Sequence, residues 1–462
     1  MEISHDLLIK GNVVLPDRIA YDATIAVKDG KISHISETNN GLLGKETIDA
    51  TGKYILPGAI DAHVHCFSSL EEGFTNAGYS AAAGGVTTII EMPYDATGMV
   101  STEQLFLDKI ARLERESVVD IALLATISPK DGLDEIAKLA EAGACGFKVS
   151  MFNTDSFRFP RIDEGQLLDA FSVIAETGCP VGVHAENDDI VKRYIRKYED
   201  QGIADPRAHV YSRPKVAESV AALTAMELAY YTGVKLHLYH STFQRVFDFA
   251  DYYRSQGARI TAETCTHYLT LSEDDMVELG ARGKINPPLR TKQDVTDLWN
   301  LIACGKIDMV TSDHAPWTLD RKENIDIFQN ASGAPGVETL LPIMYSEGVA
   351  TGKITILDLV RVLAENPAAT FGLGHCKGRI GVGMDADIVI FDPQKSYMLD
   401  EQSLHSSAKW SPYHNRKIHG KIINTFVRGR KVYNGDGEVV GKAGDGSFVK
   451  PQHRDVKHDQ FI

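Results

Sequence analysis

The segment Asp61-Ala-His63-Val-His65 sets two imidazoles two positions apart. Side chains alternate along an extended strand, so both rings share one face and can converge on one ion. Alone, such a pair is equally two polar loop residues. Gly146-Phe-Lys148-Val-Ser150 sets an amine among apolar neighbours, where an ammonium is costly unless a partner or covalent chemistry changes its charge. A lysine that reaches out to solvent is the plainer account. Val183-His184-Ala-Glu-Asn187 and Leu236-His237-Leu-Tyr-His240-Ser241 contribute further imidazoles. His240 shares a face with Leu236 and Leu238 and is the better site candidate, whereas His237 points the other way and reads as structural. Met309-Val-Thr-Ser-Asp313-His314 delivers a carboxylate, suited to bind a metal and to take a proton from its water, or merely to cap a helix. Each residue is ambiguous by itself. Together His63, His65, Lys148, His184, His240 and Asp313 are hard to explain as packing and read as one metal site.

Such residues need a scaffold that gathers strand ends. Apolar, β-branched runs at roughly 55–64, 86–92, 120–126, 146–151, 180–186, 235–241, 259–265 and 309–314 alternate with helical stretches, the pattern of βα units around a parallel sheet. Their number suits an α/β fold of the closed (β/α)8 TIM-barrel type, whose active sites lie at the C-terminal strand ends, where all six candidates fall. An open doubly wound sheet is the alternative. Against it, Gly84-Gly-Val is not a GxGxxG fingerprint opening a helix, and no Walker-type loop occurs. On either side lie short β-type runs with turn signals, such as Leu7-Leu-Ile-Lys-Gly-Asn-Val-Val14 and Ile422-Ile-Asn-Thr-Phe-Val-Arg-Gly-Arg-Lys-Val-Tyr433. Residues 1–55 and 375–445 are therefore expected to combine into a small β-sandwich domain, with a catalytic barrel at 56–374 and a C-terminal tail at 446–462.

Bulk composition narrows the partners. Lys and Arg total 48 against 63 Asp and Glu, a formal charge of −15, which disfavours nucleic acid and anionic membranes. The six cysteines are scattered with no CxxC pair, so neither a disulfide framework nor a cysteine zinc site is expected. The first residues carry no basic and apolar leader, and no stretch approaches a membrane span. A cytoplasmic protein is expected.

Seven segments then stand together: Pro57-Gly-Ala-Ile-Asp61-Ala-His-Val-His65, Gly84-Gly-Val-Thr-Thr-Ile-Ile-Glu-Met-Pro93, Gly146-Phe-Lys148, Val183-His-Ala-Glu-Asn187, His240-Ser, Asn286-Pro-Pro-Leu-Arg290 and Ser312-Asp-His-Ala-Pro316. In this order they resemble the amidohydrolase superfamily, and within it the cyclic amidohydrolases: dihydropyrimidinase, hydantoinase, allantoinase and dihydroorotase. The resemblance covers nearly the whole chain. It implies two divalent ions, zinc first, with manganese, cobalt or iron as alternatives. His63, His65 and Asp313 would hold one, and His184 and His240 the other. Lys148, carboxylated by carbon dioxide, would bridge them. It also implies that a hydroxide generated between the ions attacks a ring carbonyl, with Asp313 as the catalytic proton carrier. Substrate contacts would come from Asn286, Ser332, Gly333 and Pro335, the substrate being a small cyclic amide, and assembly would be as a homotetramer or homodimer.

Departures within the motifs narrow the branch. Phe67 stands where dihydroorotases of the usual type carry the arginine of HxHxR, and Lys148-Val-Ser-Met-Phe-Asn-Thr-Asp155 lacks the tyrosine usual after the lysine in dihydropyrimidinases and D-hydantoinases. Lys409-Trp-Ser-Pro-Tyr413 matches an SPY segment of the allantoinase branch. The resemblance is therefore nearest to allantoinase, with hydantoinase or dihydropyrimidinase as the alternative. Two rivals are a non-catalytic scaffold of dihydropyrimidinase descent, which would have lost ligands, and a mononuclear deaminase, which needs no lysine on the fourth strand. Phe152, Phe157, Phe159 and the Met92-Pro-Tyr-Asp-Ala-Thr-Gly98 segment are further candidates to line the pocket.

Overall fold

The computed structural model describes residues 5–37, 41–129 and 131–453. The chain opens with strands β1 (His5–Val14), β2 (Ile19–Lys28), β3 (Lys31–Ser36) and β4 (Gly44–Pro57). It then runs through β5 (Ala59–Val64), β6 (Val86–Glu91), the short ribbon β7 (Tyr94–Asp95) and β8 (Gly98–Met99), and β9 (Asp120–Leu123). Next come β10 (Phe147–Ser150), β11 (Pro180–His184), β12 (Lys235–Leu238), β13 (Ile260–Cys265) and β14 (Met309–Thr311). β15 (Ile388–Met398), β16 (Lys417–Val427) and β17 (Arg430–Tyr433) follow.

The parallel strands form two arcs, β5-β6-β9 and β10-β11-β12-β13-β14. Parallel bridges from Ala125 to Phe147 and from Val64 to His314 join the arcs at both seams, closing an eight-stranded barrel. The strands read as nearly continuous apolar runs because helices cover them outside and side chains fill them inside; all six residues of β5 and of β6 are buried. Helices return the chain between strands, several with side-chain caps: Asn187 accepts from the Ile190 amide to start Asp188–Asp200, and Thr291 with Asp294 forms a capping box before Lys292–Ala303.

Both termini build one seven-stranded sheet, in the order β17-β16-β15-β4-β1-β2-β3. β1 pairs antiparallel with β2 and parallel with β4, while β15 lies antiparallel between β4 and β16. Ile9, Val13, Ile25, Ile55, Ile388, Ile390 and Phe426 give this sheet its own apolar core. The first expected strand is in fact two: the chain leaves the terminal sheet at Pro57 and enters the barrel at Ala59. Gly58 makes the crossing possible, since its amide donates to Asp387 O (2.9 Å) and a Cβ there would overlap the Thr87 side chain. Lys377 pins the two units together, its Nζ lying 2.6 Å from Asp120 Oδ2, 2.7 Å from Asp387 Oδ2 and 3.0 Å from Asp385 Oδ2.

The beginning of the expected tail docks beside the barrel. Ile121 N donates to Ser447 O (3.0 Å) and Val449 N donates to Ile121 O (2.9 Å). β10 meets β9 only near Ala125, so the outer edge of Ile121 needs another partner for its backbone groups. Residues 454–462 of that segment lie outside the described residues. Among the described residues no helix is long and apolar enough to cross a membrane.

Candidate metal-binding active site

The six candidates meet at the C-terminal mouth of the barrel. His63 lies near the end of β5 with His65 just beyond it, Lys148 sits within β10, and His184 ends β11. His240 and Asp313 stand two residues past β12 and β14. Both of these turn the backbone into the left-handed region, with φ of 38° and 46°, which costs a non-glycine residue on the order of 1–3 kcal/mol and persists only where surroundings enforce it. The enforcing contacts are visible. His240 N donates to Glu263 Oε1 (3.1 Å). Around Asp313, Ser312 N donates to Asp61 Oδ1 (3.1 Å), and the His314 amide donates to His63 O (3.2 Å).

Asp313 Oδ1 lies 3.1 Å from His63 Nε2 and 3.4 Å from His65 Nε2. Ligand atoms of these three residues all fall within 4.8 Å of one another, a group that could hold a metal ion. On the other side, His184 Nδ1 and His240 Nε2 face each other at 2.8 Å. The Lys148 amine is fully buried and makes no hydrogen bond; its Nζ rests 3.4 Å from the centre of the Tyr239 ring. Burial pulls this amine down to about 7, against the opposing pull of Glu263 and Asp313. Burial first, and then the charge of Lys148 among other causes, also holds His63, His65, His184 and His240 below the ordinary imidazole range. Neutral imidazoles keep a lone pair free, which is the state a metal ligand requires.

Acidic residues behind the histidines orient them. His63 Nδ1 donates to Glu263 Oε1 (2.7 Å), leaving Nε2 for the cavity. His237 Nε2 lies 3.2 Å from Glu263 Oε2 and its Nδ1 is 2.9 Å from Thr261 Oγ1, so this histidine supports the glutamate and stays out of the cavity. His184 Nε2 donates to Glu186 Oε2 (2.9 Å), which also accepts from Arg213 at 2.5 Å. Burial pushes the Glu186 carboxyl up, but the charges and hydrogen bonds of Arg213 and His184 together hold it at about 2. Gly182 clears room for the Tyr239 ring, which a Cβ would overlap.

The cavity beside this cluster measures about 60 Å³ and is lined by the six candidates with Ser68, Thr154, Arg158, Phe159, Asn286, Ala315, Trp317, Ser332 and Gly333. Asn286 Oδ1 is buried without a partner. Ser332 O accepts from Trp317 Nε1 (2.8 Å), and the Gly333 amide is spent on Lys284 O (2.9 Å). Pro335 lines a neighbouring cavity beneath His314 and Glu338 instead. Of the three phenylalanines considered, only Phe159 reaches the cavity; Phe157 is exposed, and Phe152 packs with Val191 and Ala217. Tyr94, from the expected segment, lies behind Phe159, with ring centroids 3.7 Å apart. A larger cavity of about 790 Å³, lined by Lys235, Arg259 and Arg379, sits at the N-terminal ends of β11, β12 and β13, away from the ligand set.

Residues 54–432 match the amidohydrolase family. The chain belongs to this family. An allantoinase of Rubrobacter xylanophilus is 36% identical over 450 residues, covering 97% of this amidohydrolase and 98% of the relative. A D-hydantoinase of Ralstonia pickettii is 35% identical over 464 residues, covering 96% and 98%. The solved structure of an L-hydantoinase (dihydropyrimidinase) from Arthrobacter aurescens superposes with a TM-score of 0.94 at 34% identity, covering 97% of this chain and 100% of that one.

Sequence reasoning on this amidohydrolase did not find Glu263, Glu186, Tyr239 or Arg158. Glu263 had a usable signal, an acid inside the apolar β13 run Ile260-Thr-Ala-Glu-Thr-Cys265, where a carboxylate needs a partner. Glu186 sits in the quoted His-Ala-Glu segment, where alternation places it on the face of His184. Arg158 lies in a loop, and its approach to the histidines follows only from tertiary packing.

Proposed function

We propose that this amidohydrolase opens the ring of a cyclic amide or ureide with water, in the manner of an allantoinase acting on allantoin, using two divalent ions, zinc first. His63, His65 and Asp313 would hold one ion and His184 and His240 the other, with carboxylated Lys148 between them. The observation that carries this is the Lys148 amine: buried, without a hydrogen-bond partner, and shifted to about 7. An amine shifted to about 7 is at least half neutral at pH 7–8, so its nitrogen can add to carbon dioxide and release a proton to water, and the resulting carbamate anion would suit a place between two cations far better than an ammonium. Two ions held there would supply Lewis acidity toward the ring carbonyl and a water acidic enough to ionise near neutrality.

The chain's own groups supply the rest. Asp313 would take the nucleophile's proton as the new C–O bond forms and hand it to the departing ring nitrogen as the ring C–N bond breaks. Asn286 Oδ1 offers an acceptor for a ring N–H. The Ser332 carbonyl accepts from Trp317 and the Gly333 amide donates to Lys284 O, which leaves the second lone pair of the Ser332 oxygen for a ring N–H. Phe159 and Trp317 give apolar walls that flank a flat ring. Retention of every expected ligand disfavours a non-catalytic scaffold.

A hydantoinase acting on 5-substituted hydantoins is the second reading, favoured by the TM-score of 0.94 to the L-hydantoinase. Assays of the metal-loaded enzyme on allantoin, hydantoin, dihydrouracil and dihydroorotate side by side separate the two. Turnover of allantoin above the others supports the first reading; turnover of hydantoins without allantoin replaces it with the second, and activity that survives exhaustive chelation removes the metal from both. A homodimer or homotetramer is proposed from family resemblance alone, and sedimentation velocity tests it.

A further inference from the structure

Opening the ring gives Arg158 no task, yet this residue lines the same cavity as the histidines. It enters from the loop after β10, with NH1 donating to Tyr94 O (3.0 Å) and the guanidinium 5.2 Å from the Trp317 ring. Among the described residues no carboxylate lies within ion-pair distance of the guanidinium. The neighbouring Asp155 points its Oδ1 at the backbone instead, accepting from the amides of Phe157 (2.8 Å) and Arg158 (3.0 Å). Asp155 and Asp95 attract this half-buried cation only from beyond ion-pair distance, which leaves room for a ligand to complete it.

The other polar side chains that line the cavity outside the six candidates, Ser68, Thr154, Asn286 and Ser332, carry single hydroxyls or an amide and no charge. Trp317 Nε1 is spent on Ser332 O, and Phe159 is apolar and stacked on Tyr94. A guanidinium carries five N–H donors in a planar fork, and one contact to Tyr94 leaves most of them for a ligand. We propose that Arg158 selects the ring's exocyclic substituent, preferring one with acceptor oxygens, a ureido carbonyl or a carboxylate, over an alkyl or aryl group. This deepens the cyclic-amide reading and rests on it. Planar acceptors match the fork bidentately, whereas an alkyl group would strip water from it without replacing the lost hydrogen bonds.

The test compares kcat and KM for hydantoin bearing at C5 a hydrogen, a ureido group (allantoin), an acetate or an isopropyl group, in the metal-loaded wild type, Arg158→Gln and Arg158→Lys. The expected result is that the kcat/KM ratio of allantoin to unsubstituted hydantoin falls about 10- to 100-fold in Arg158→Gln, mostly through KM. Arg158→Lys, a point charge without the fork, recovers the acetate more than the ureido substrate, and the size of each loss tells which acceptor the site favours. Equal losses on all four substrates, or none on any, overturn the proposal. If the wild type hydrolyses none of them, the reaction reading fails separately. Calorimetric binding of allantoin and 5-isopropylhydantoin to the same proteins then decides: a preference for allantoin that Arg158→Gln abolishes upholds the role, and no such preference ends it.

Discussion

Replacing Lys148 with methionine should abolish turnover and yet make the metal-free protein more stable. The amine falls from lysine's ordinary 10.5 to about 7, with burial as the leading cause. Each pH unit of such a displacement is worth about 1.36 kcal/mol, so protonating this group in the folded state costs about 5 kcal/mol relative to the unfolded chain. The sign follows from linkage. Below pH 7 both states carry the proton and the full cost is present. Between about 7 and 10.5 only the unfolded state holds it, so wild-type stability rises with pH by about 1.4 kcal/mol per unit; above that range the cost is gone. Methionine is an unbranched side chain one atom shorter than lysine, has no charge to desolvate and can keep contact with the Tyr239 ring. Chelated, carbonate-free wild type and Lys148→Met are to be unfolded in denaturant from pH 6 to 10. The variant should be more stable by up to about 5 kcal/mol near pH 7, with the gap closing as pH approaches 10. A variant equally or less stable at pH 7, or a gap that does not shrink, refutes the placement of an uncompensated amine at the heart of the site. Two ions per chain in this variant, measured by metal analysis, would refute the bridging role.

Asp313→Asn should lower kcat by about 10²- to 10⁴-fold while the protein still folds, because it removes the proton acceptor beside His63 and His65; steady-state kinetics showing a loss under tenfold would rule out that role. Glu263→Gln, which disturbs the hydrogen bonds to the His63 ring and the His240 amide, should weaken metal affinity by about 10- to 100-fold in a competitive chelator titration, and unchanged affinity would count against the orienting role. Lys377→Met leaves Asp120, Asp385 and Asp387 without their shared cation. It should destabilise the fold by about 3–5 kcal/mol in chemical denaturation, while KM stays within about twofold; a shifted KM with intact stability would contradict a purely architectural role.

Much of this protein is written in its linear order. Alternation along a strand puts His63 and His65 on one face, and buried parallel strands leave continuous apolar runs that mark all eight barrel strands. The position of barrel active sites then predicts which mouth the candidate site residues share. The break at Gly58 was less visible, because residues 55–64 form one apolar run and only the Thr87 and Asp387 contacts force the chain from one sheet into another. The tertiary structure alone decided what stands behind and beside those residues. Glu263 comes from a strand 200 residues after His63, and Arg158 is brought to the histidines by a loop with no periodicity to read. Phe152, Phe157 and Phe159 look alike in the sequence, yet one is packed away, one faces solvent and one lines the cavity. Local spacing fixes which face of a strand a side chain takes. Which partners meet it there depends on barrel closure and loop packing, where contacts between distant residues outweigh local preference.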